Sequence, residues 1–172
     1  DPVPSLGGNT LNIPGGVFDQ RPVDARCLTF TSDPMTEELE VTGPVKAVVY
    51  GLSSATDTDW VVRLTDVHPD GYSRLVCDGI LRARYRDSFE HPELLDPGKV
   101  YRYEIDLWGT SNAFQQDHRV RVPVTSSCFP RFDRNLNTGG PIHREAVGQV
   151  AINTVFHDDL RASHIVLPVI PR

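Results

Sequence analysis

The sequence lacks the features that place a protein in a membrane or on a nucleic acid. Among its 172 residues no apolar run approaches the ~20 residues that span a bilayer. Seventeen basic residues stand against twenty-three acidic ones, and the net charge of -6 disfavours contact with phosphate backbones and anionic lipid surfaces. We therefore expect no nucleic-acid partner and no membrane partner.

Cysteine is scarce, and its spacing fits neither a metal-binding nor a redox motif. Cys27, Cys77 and Cys128 are odd in number, lie far apart and form no C-x-x-C pair. Such cysteines are most often free, buried thiols in a reducing compartment. We therefore expect a cytoplasmic protein.

A nucleophile motif is also missing. A serine hydrolase of the α/β type carries G-x-S-x-G on a strand-to-helix turn, and the sequence has no such pattern. The serines at 53–54, 126–127 and 163 lie in or beside expected strands, with no histidine and acid in a recognisable order. We predict that this chain contains no catalytic residue.

The usual metal-binding patterns are missing as well. His157, Asp159 and His164 supply the residue types of a two-histidine, one-carboxylate iron site, but the second histidine follows too soon. The other aspartates lack the graded spacing of a calcium loop and are interpreted as turn caps: those of TDTD at 56–59, Asp66, Asp70 and Asp78. We predict no metal and no cofactor, and keep a metal-dependent jelly-roll enzyme as an alternative.

What the sequence does contain is a series of short alternating segments separated by turn residues. Helical periodicity is confined to a turn or two around 87–95. We expect strands at 28–33, 38–53 (one strand or two around a TGP turn), 58–69, 73–85, 99–109, 119–124, 148–158 and 163–171. About eight to ten strands with long excursions between some of them predict an all-β fold, a jelly-roll β-sandwich.

The domain organisation follows from this series of strands. Residues 1–27 are expected to form an N-terminal segment and loop packed on the domain, and 28–172 the β-sandwich, which makes one domain. The chain begins at Asp1 rather than Met, and DPVPSLGGN resembles a linker, so we expect a domain excised from a larger protein.

Two segments show the clearest alternation of apolar and polar residues. In each of them every second side chain is apolar, which places those side chains on one face of a strand. We predict that two triplets form the inner faces of adjacent strands: Val120, Val122 and Val124, and Tyr103, Ile105 and Leu107.

Three features each leave two interpretations open. The segment FPRFDRNLNTG at 129–139 is either a structural corner, pinned to the core by its two phenylalanines, or a ligand-contacting loop. Trp60 and Trp108 either belong to the core or form a sugar-stacking platform. The arginines of RARYRDSF at 82–89 either bind a carboxylate or a neighbouring domain, or pair with Asp87, Glu90 and Glu93.

A resemblance to a known family emerges from the motifs taken in order. They include DPVPSLGG, FDQRPVDAR, LTFTSDPMTEELEVTGPV, TDTDWVVRLTDVHPDGYS, PGKVYRYEIDLWGTSNAF, FPRFDRNLNTG and SHIVLPVI. Over essentially the whole chain they resemble the C-terminal domain of the cocaine esterase and X-prolyl dipeptidyl-peptidase group of serine hydrolases, which also includes α-amino-acid ester hydrolases and glutaryl-cephalosporin acylases.

The resemblance implies a jelly roll similar to galactose-binding modules, without catalytic residues of its own. In that group the Ser-Asp-His triad lies in a preceding α/β-hydrolase domain. The implied role is to brace that domain, to close one side of the cleft that holds a small acyl ester or amide substrate, and in some members to support a homodimer. An autonomous carbohydrate-binding module is the alternative function.

The resemblance also suggests where this chain would contact a substrate. In the group the loop between the GG and DQRP landmarks presents apolar side chains to the acyl pocket, and here that loop is NTLNIPGGVF at 9–18. We predict substrate-binding roles for Leu11, Asn12 and Ile13, with a mobile surface loop as the alternative interpretation.

Overall fold

Two antiparallel sheets pack face to face in the computed structural model, which describes residues 19–141 and 144–171. The first sheet contains β1 (Leu28–Thr31), β3 (Asp59–Val67), β4 (Ser73–Arg82) and β6 (Arg119–Thr125) in the order β1-β6-β3-β4. The second contains β2 (Leu39–Ser53), β5 (Tyr101–Phe114), β7 (Asn153–Asp158), β8 (Arg161–Ala162) and β9 (His164–Val166). The predicted jelly-roll β-sandwich is confirmed.

Helix is confined to α1 (Arg21–Asp24) and a single 3-10 turn (Ala83–Tyr85) in the described residues. The helix expected at 87–95 does not form. There the Glu93 amide donates to the Arg84 carbonyl and the Leu95 amide to the Thr56 carbonyl, so the backbone bonds to neighbouring segments instead of to itself. Neither helix has the length or the apolar character to cross a membrane.

The second sheet is built along β2, which is one strand and not two. It pairs with β5 from Leu39 to Gly51, while β9 and β7 share its other edge end to end. The expected TGP turn is a β-bulge between Pro44 and Lys46, because proline has no amide hydrogen to continue the ladder.

The core lies between the two sheets, and the alternation of residues identifies most of its members. Tyr103, Ile105 and Leu107 are fully buried, as is Trp60 on β3. The valines of β6 belong to the same core, with Val124 buried and the other two half-buried. The prediction that the two triplets lie on adjacent strands is wrong, since β6 pairs with β1 and β3 while β5 pairs with β2.

The backbones of the two sheets approach each other closely at Gly79 on β4. A methyl group at this position would lie well inside van der Waals contact with the carbonyl oxygen of Asp106 on β5. Glycine is therefore needed here for its small size and not for an unusual backbone angle.

Replacing Gly79 with alanine should destabilise the domain, because the sheets must separate to admit the methyl group. We expect Gly79→Ala to lower the free energy of unfolding by about 1–3 kcal/mol in urea titrations. Gly109→Ala is the matched control, since the nearest atom to its added methyl is 3.7 Å away, and it should change stability by less than about 0.5 kcal/mol. Equal losses for the two variants would contradict the close approach.

Candidate functional site

Two buried carboxylates lie side by side beneath the loop that follows β6. Arg84 Nε is 2.8 Å from Asp57 Oδ2, and Arg82 Nε is 2.8 Å from Asp59 Oδ1. The Asn135 amide donates to both carboxylates, at 3.0 Å to Asp57 and 2.8 Å to Asp59. The ion pairs and the loop are therefore one hydrogen-bonded unit.

The register of the β3–β4 hairpin brings these charges together. Asp59 is directly opposite Arg82 across the ladder, and Asp57 and Arg84 continue the same register just beyond the strand ends. The hydrogen bond from Arg82 to Asp59 raises the pKa of the guanidinium above its ordinary value, although burial acts in the other direction. Arg82 is thus held as a cation beside the Asp59 carboxylate.

This network corrects two interpretations of the sequence. The aspartates of TDTD are buried ion-pair partners and not turn caps. Of the arginines in 82–89, only Arg86 pairs within its own segment, with Asp87 at 3.1 Å and Glu93 at 3.3 Å. The sequence contains a signal for these ion pairs. D-x-D at 57–59 lies at the start of the first strand of the expected hairpin, and R-x-R at 82–84 lies at the end of the second.

The loop at 129–139 is ordered mainly by polar contacts. Phe129, expected in the core, is exposed, and the Arg134 guanidinium lies over its ring at 4.3 Å. Phe132 is half-buried, and the neighbouring Arg131 pairs with Asp78 on β4. The loop is therefore a structural corner, and the contacts of its polar and charged residues hold it in place.

An exposed apolar surface lies beside this corner, and we name it the cleft face. It consists of four exposed side chains, Leu28, Val147, Val150 and Ile152, and the half-buried Leu136. Three of these residues line a cleft of about 520 Å³, and Val150 is 93% exposed. The backbone beneath is fixed, because the Gln149 amide donates to the Leu136 carbonyl at 2.9 Å. Because interaction sites are recognised by exposed apolar surface, the cleft face is a candidate interaction site.

The two tryptophans do not form a platform. Trp60 is buried, with its ring centroid 5.4 Å from that of Tyr103, and burial raises the pKa of Tyr103 to about 12. Trp108 is 68% exposed and sits in the bulge of β5 at a φ of 65°. The expectation that both belong to the core is right for Trp60 and wrong for Trp108.

The histidines that the structure describes do not assemble a hydrolytic centre with a hydroxyl or a thiol. His118 Nδ1 lies 2.8 Å from Asp66 Oδ1, which is the acid-histidine half of a triad. Within residues 19–141 and 144–171, no serine, threonine or cysteine side chain is hydrogen-bonded to an imidazole. Burial also raises the pKa of the Cys77 thiol to about 12, so its thiolate is negligible at neutral pH.

Two sets of residues remain to be placed, the predicted substrate-binding residues and the histidines and aspartate considered as an iron site. Leu11, Asn12 and Ile13 lie outside the described residues, so their substrate-binding role stays a prediction. The donor atoms of His157, Asp159 and His164 do not converge, and in the described part of the chain the group that does converge is Asp66, His68 and His118.

Comparison with known proteins gives consistent matches along the chain. A family model described as the X-Pro dipeptidyl-peptidase C-terminal non-catalytic domain matches residues 9–166. The chain is 46% identical to the cocaine esterase of Rhodococcus sp. (strain MB1 Bresler), covering 100% of this chain and 31% of that protein. It is 31% identical to a putative serine esterase of Mycobacterium tuberculosis, covering 88% of this chain and 25% of the relative.

Solved structures agree with these matches. An aminopeptidase from a marine sediment Thaumarchaeota archaeon superposes with a TM-score of 0.89 at 31% identity, over 99% of this chain and 32% of that one. An α-amino acid ester hydrolase superposes with a TM-score of 0.85 at 37% identity, over 90% of this chain and 27% of that one. The chain thus spans about a third or less of the length of each of these relatives.

The buried ion pairs should dominate the stability of the corner. Arg84→Met leaves the fully buried Asp57 without its cation, and we expect a loss of about 3–5 kcal/mol in the free energy of unfolding. Lys46→Met removes the half-exposed partner of Glu104 and should cause no measurable loss. Chemical denaturation of the purified variants measures both, and a similar loss in the two would show that Asp57 does not depend on Arg84.

Proposed function

Because the chain belongs to the X-Pro dipeptidyl-peptidase C-terminal non-catalytic domain family, we propose that it braces the α/β-hydrolase domain of a serine acyl hydrolase. In this role it closes one side of the cleft in which the hydrolase domain cleaves a small acyl ester or amide. The relatives carry names that fit such a reaction, an esterase, an aminopeptidase and an amino acid ester hydrolase.

The observation that carries this proposal is the cleft face. The curated relatives are about three to four times as long as the matched region, and the additional length supplies an occupant for an exposed apolar surface. The occupant we assign is the hydrolase domain of the same polypeptide. Each large apolar side chain that it covers contributes ~1.5–3 kcal/mol to the contact.

The corner beneath the cleft face supports this assignment. A surface that is already fixed loses little conformational freedom when a partner docks on it. Asn135 holds the loop through the buried carboxylates, and the loop carries Leu136 of the cleft face. The polar network therefore presents the apolar surface in one conformation.

The proposal includes a cytoplasmic location. Cys27, Cys77 and Cys128 are free thiols in the structure, and free thiols persist in a reducing compartment.

A charge in the cleft face should disturb the docking of the hydrolase domain. In the full-length hydrolase we expect Val150→Asp to lower the thermal inactivation temperature and to expose the interdomain region to limited proteolysis, because a carboxylate cannot be buried there unpaired. Leu160→Asp is the matched control, since Leu160 is 92% exposed but lies at the opposite end of β7.

In the isolated chain both variants should unfold at the wild-type temperature, because both side chains are solvated there. If Val150→Asp and Leu160→Asp leave the full-length enzyme equally intact, the hydrolase domain does not dock on the cleft face.

The loop at 9–18 should affect specificity for the acyl group. We expect Leu11→Ala and Ile13→Ala to lower the kcat/KM of the full-length hydrolase for bulky acyl esters, and to leave acetyl esters nearly unchanged. A lost apolar contact is worth ~1–3 kcal/mol, and only a large acyl group reaches it. Proportional losses for both substrates, or no change in a folded enzyme, would leave this chain a purely structural role.

A further inference from the structure

A second polar cluster lies at the far end of β3 from the buried ion pairs. The even-numbered side chains of β3 point into the core, and Asp66 ends that row with a side chain only 2% exposed. His68 follows two residues later, just after β3 ends, and His118 is the residue immediately before β6. Two segments, the end of β3 and the residue next to β6, thus place a carboxylate and two imidazoles together.

The hydrogen bonds of this cluster are incomplete. His118 Nδ1 lies 2.8 Å from Asp66 Oδ1, and Arg74 donates to Asp66 Oδ2 at 3.2 Å. His68 Nε2 lies 4.0 Å from Asp66 Oδ2, which is too far for a hydrogen bond, and this nitrogen is shielded from solvent without a partner. A buried imidazole nitrogen that faces a carboxylate across such a gap calls for a ligand between them.

Both imidazole rings are held in place by their surroundings. The His68 and His118 rings pack at 4.3 Å between centroids, and the Tyr72 ring lies edge-on to His68 at 5.1 Å. The His68 amide also donates to the Tyr72 carbonyl at 2.8 Å within the β3–β4 turn. The donor nitrogens therefore occupy defined positions before any ligand binds.

We propose that Asp66, His68 and His118 bind a divalent transition-metal ion, with zinc as the best fit. Two imidazoles and one carboxylate are ligands that zinc prefers, whereas calcium and magnesium prefer oxygen. One donor atom from each residue lies within 4.8 Å of the others. Zinc bonds of about 2.0–2.2 Å set tetrahedral ligands roughly 3.3–3.6 Å apart, so shifts of less than about 1 Å complete the site.

Arg74 is the cation that the metal ion must displace. Its guanidinium bonds to Asp66 Oδ2 and to Asn112 Oδ1, and its side chain is 43% exposed, so it can turn toward solvent. In the absence of metal, Arg74 neutralises the buried carboxylate. Removing Arg74 should therefore strengthen metal binding, whereas removing a ligand should weaken it.

Isothermal titration of the chelator-treated 172-residue chain with zinc chloride tests the proposal. We expect one equivalent to bind, His68→Ala and His118→Ala to weaken binding at least roughly tenfold, and Arg74→Met to tighten it severalfold. His91→Ala is the matched control, because His91 is exposed and outside the cluster. Zinc should also raise the melting temperature of the wild-type chain and not that of His68→Ala.

Three results would overturn the proposal. They are the absence of saturable binding, binding that is unchanged in folded His68→Ala, and an equal loss in His91→Ala, which would assign the zinc to surface histidines. Weaker binding in folded Arg74→Met would also contradict it, since Arg74 would then support the ion instead of competing with it.

Discussion

Every residue of β3 is buried although three of its nine residues are charged, and the rest of the structure depends on how those charges are compensated. The even-numbered side chains face the core, while Asp59 and Arg63 face outward beneath the loop that follows β6. An unpaired charge in such a position costs several kcal/mol, so the covering layer has to supply polar partners. It supplies Asn135 to Asp59, whereas Arg63 has the weak acceptor Cys128 Sγ at 3.6 Å from Nη2 and keeps a buried Nη1 without a hydrogen-bond partner. The loop is ordered because the strand beneath it is charged.

The same charges fix the register of the β3–β4 hairpin at both ends. Asp59 is opposite Arg82 at one end, and Asp66 is opposite Arg74 at the other. The two pairs are out of step by one residue, and the irregularity between Leu64 and Thr65 takes up the difference. A slip of one residue would turn the core row of β3 outward and separate both pairs, so apolar burial and charge pairing specify the same register.

The sequence predicts which side chains of a strand face the core. It predicts less well which strands pair with each other and where each strand ends. Alternation correctly identifies Ile105 as inward-facing, because burial on one face imposes a period of two. It contains no information on which strand pairs with which, so β5 and β6 were wrongly expected side by side. Trp108 obeys this alternation, since it continues the outward row of Arg102, Glu104 and Asp106, and only its apolar ring suggested a place in the core.

The charged residues show a related limit of sequence reasoning. Asp66 looks like a turn cap because a turn follows it, yet its position in the inward row decides its environment. The family could be predicted from ordered motifs, while the cleft face could not, since alternation predicts a strand from 148 and the strand begins only at Asn153, which leaves Val150 and Ile152 in the segment before it.

The two polar clusters lie at opposite ends of β3 and stabilise different parts of the domain. Seven residues separate Asp59 from Asp66, which in an extended strand is roughly 23 Å. The first cluster holds the corner that carries the cleft face, and the second lies at the opposite end of the hairpin. An ion bound by Asp66 would therefore lie too far from the cleft face to touch a substrate there. Its effect would be to join the β3–β4 turn to the start of β6, which stiffens the sheet on which the corner is built.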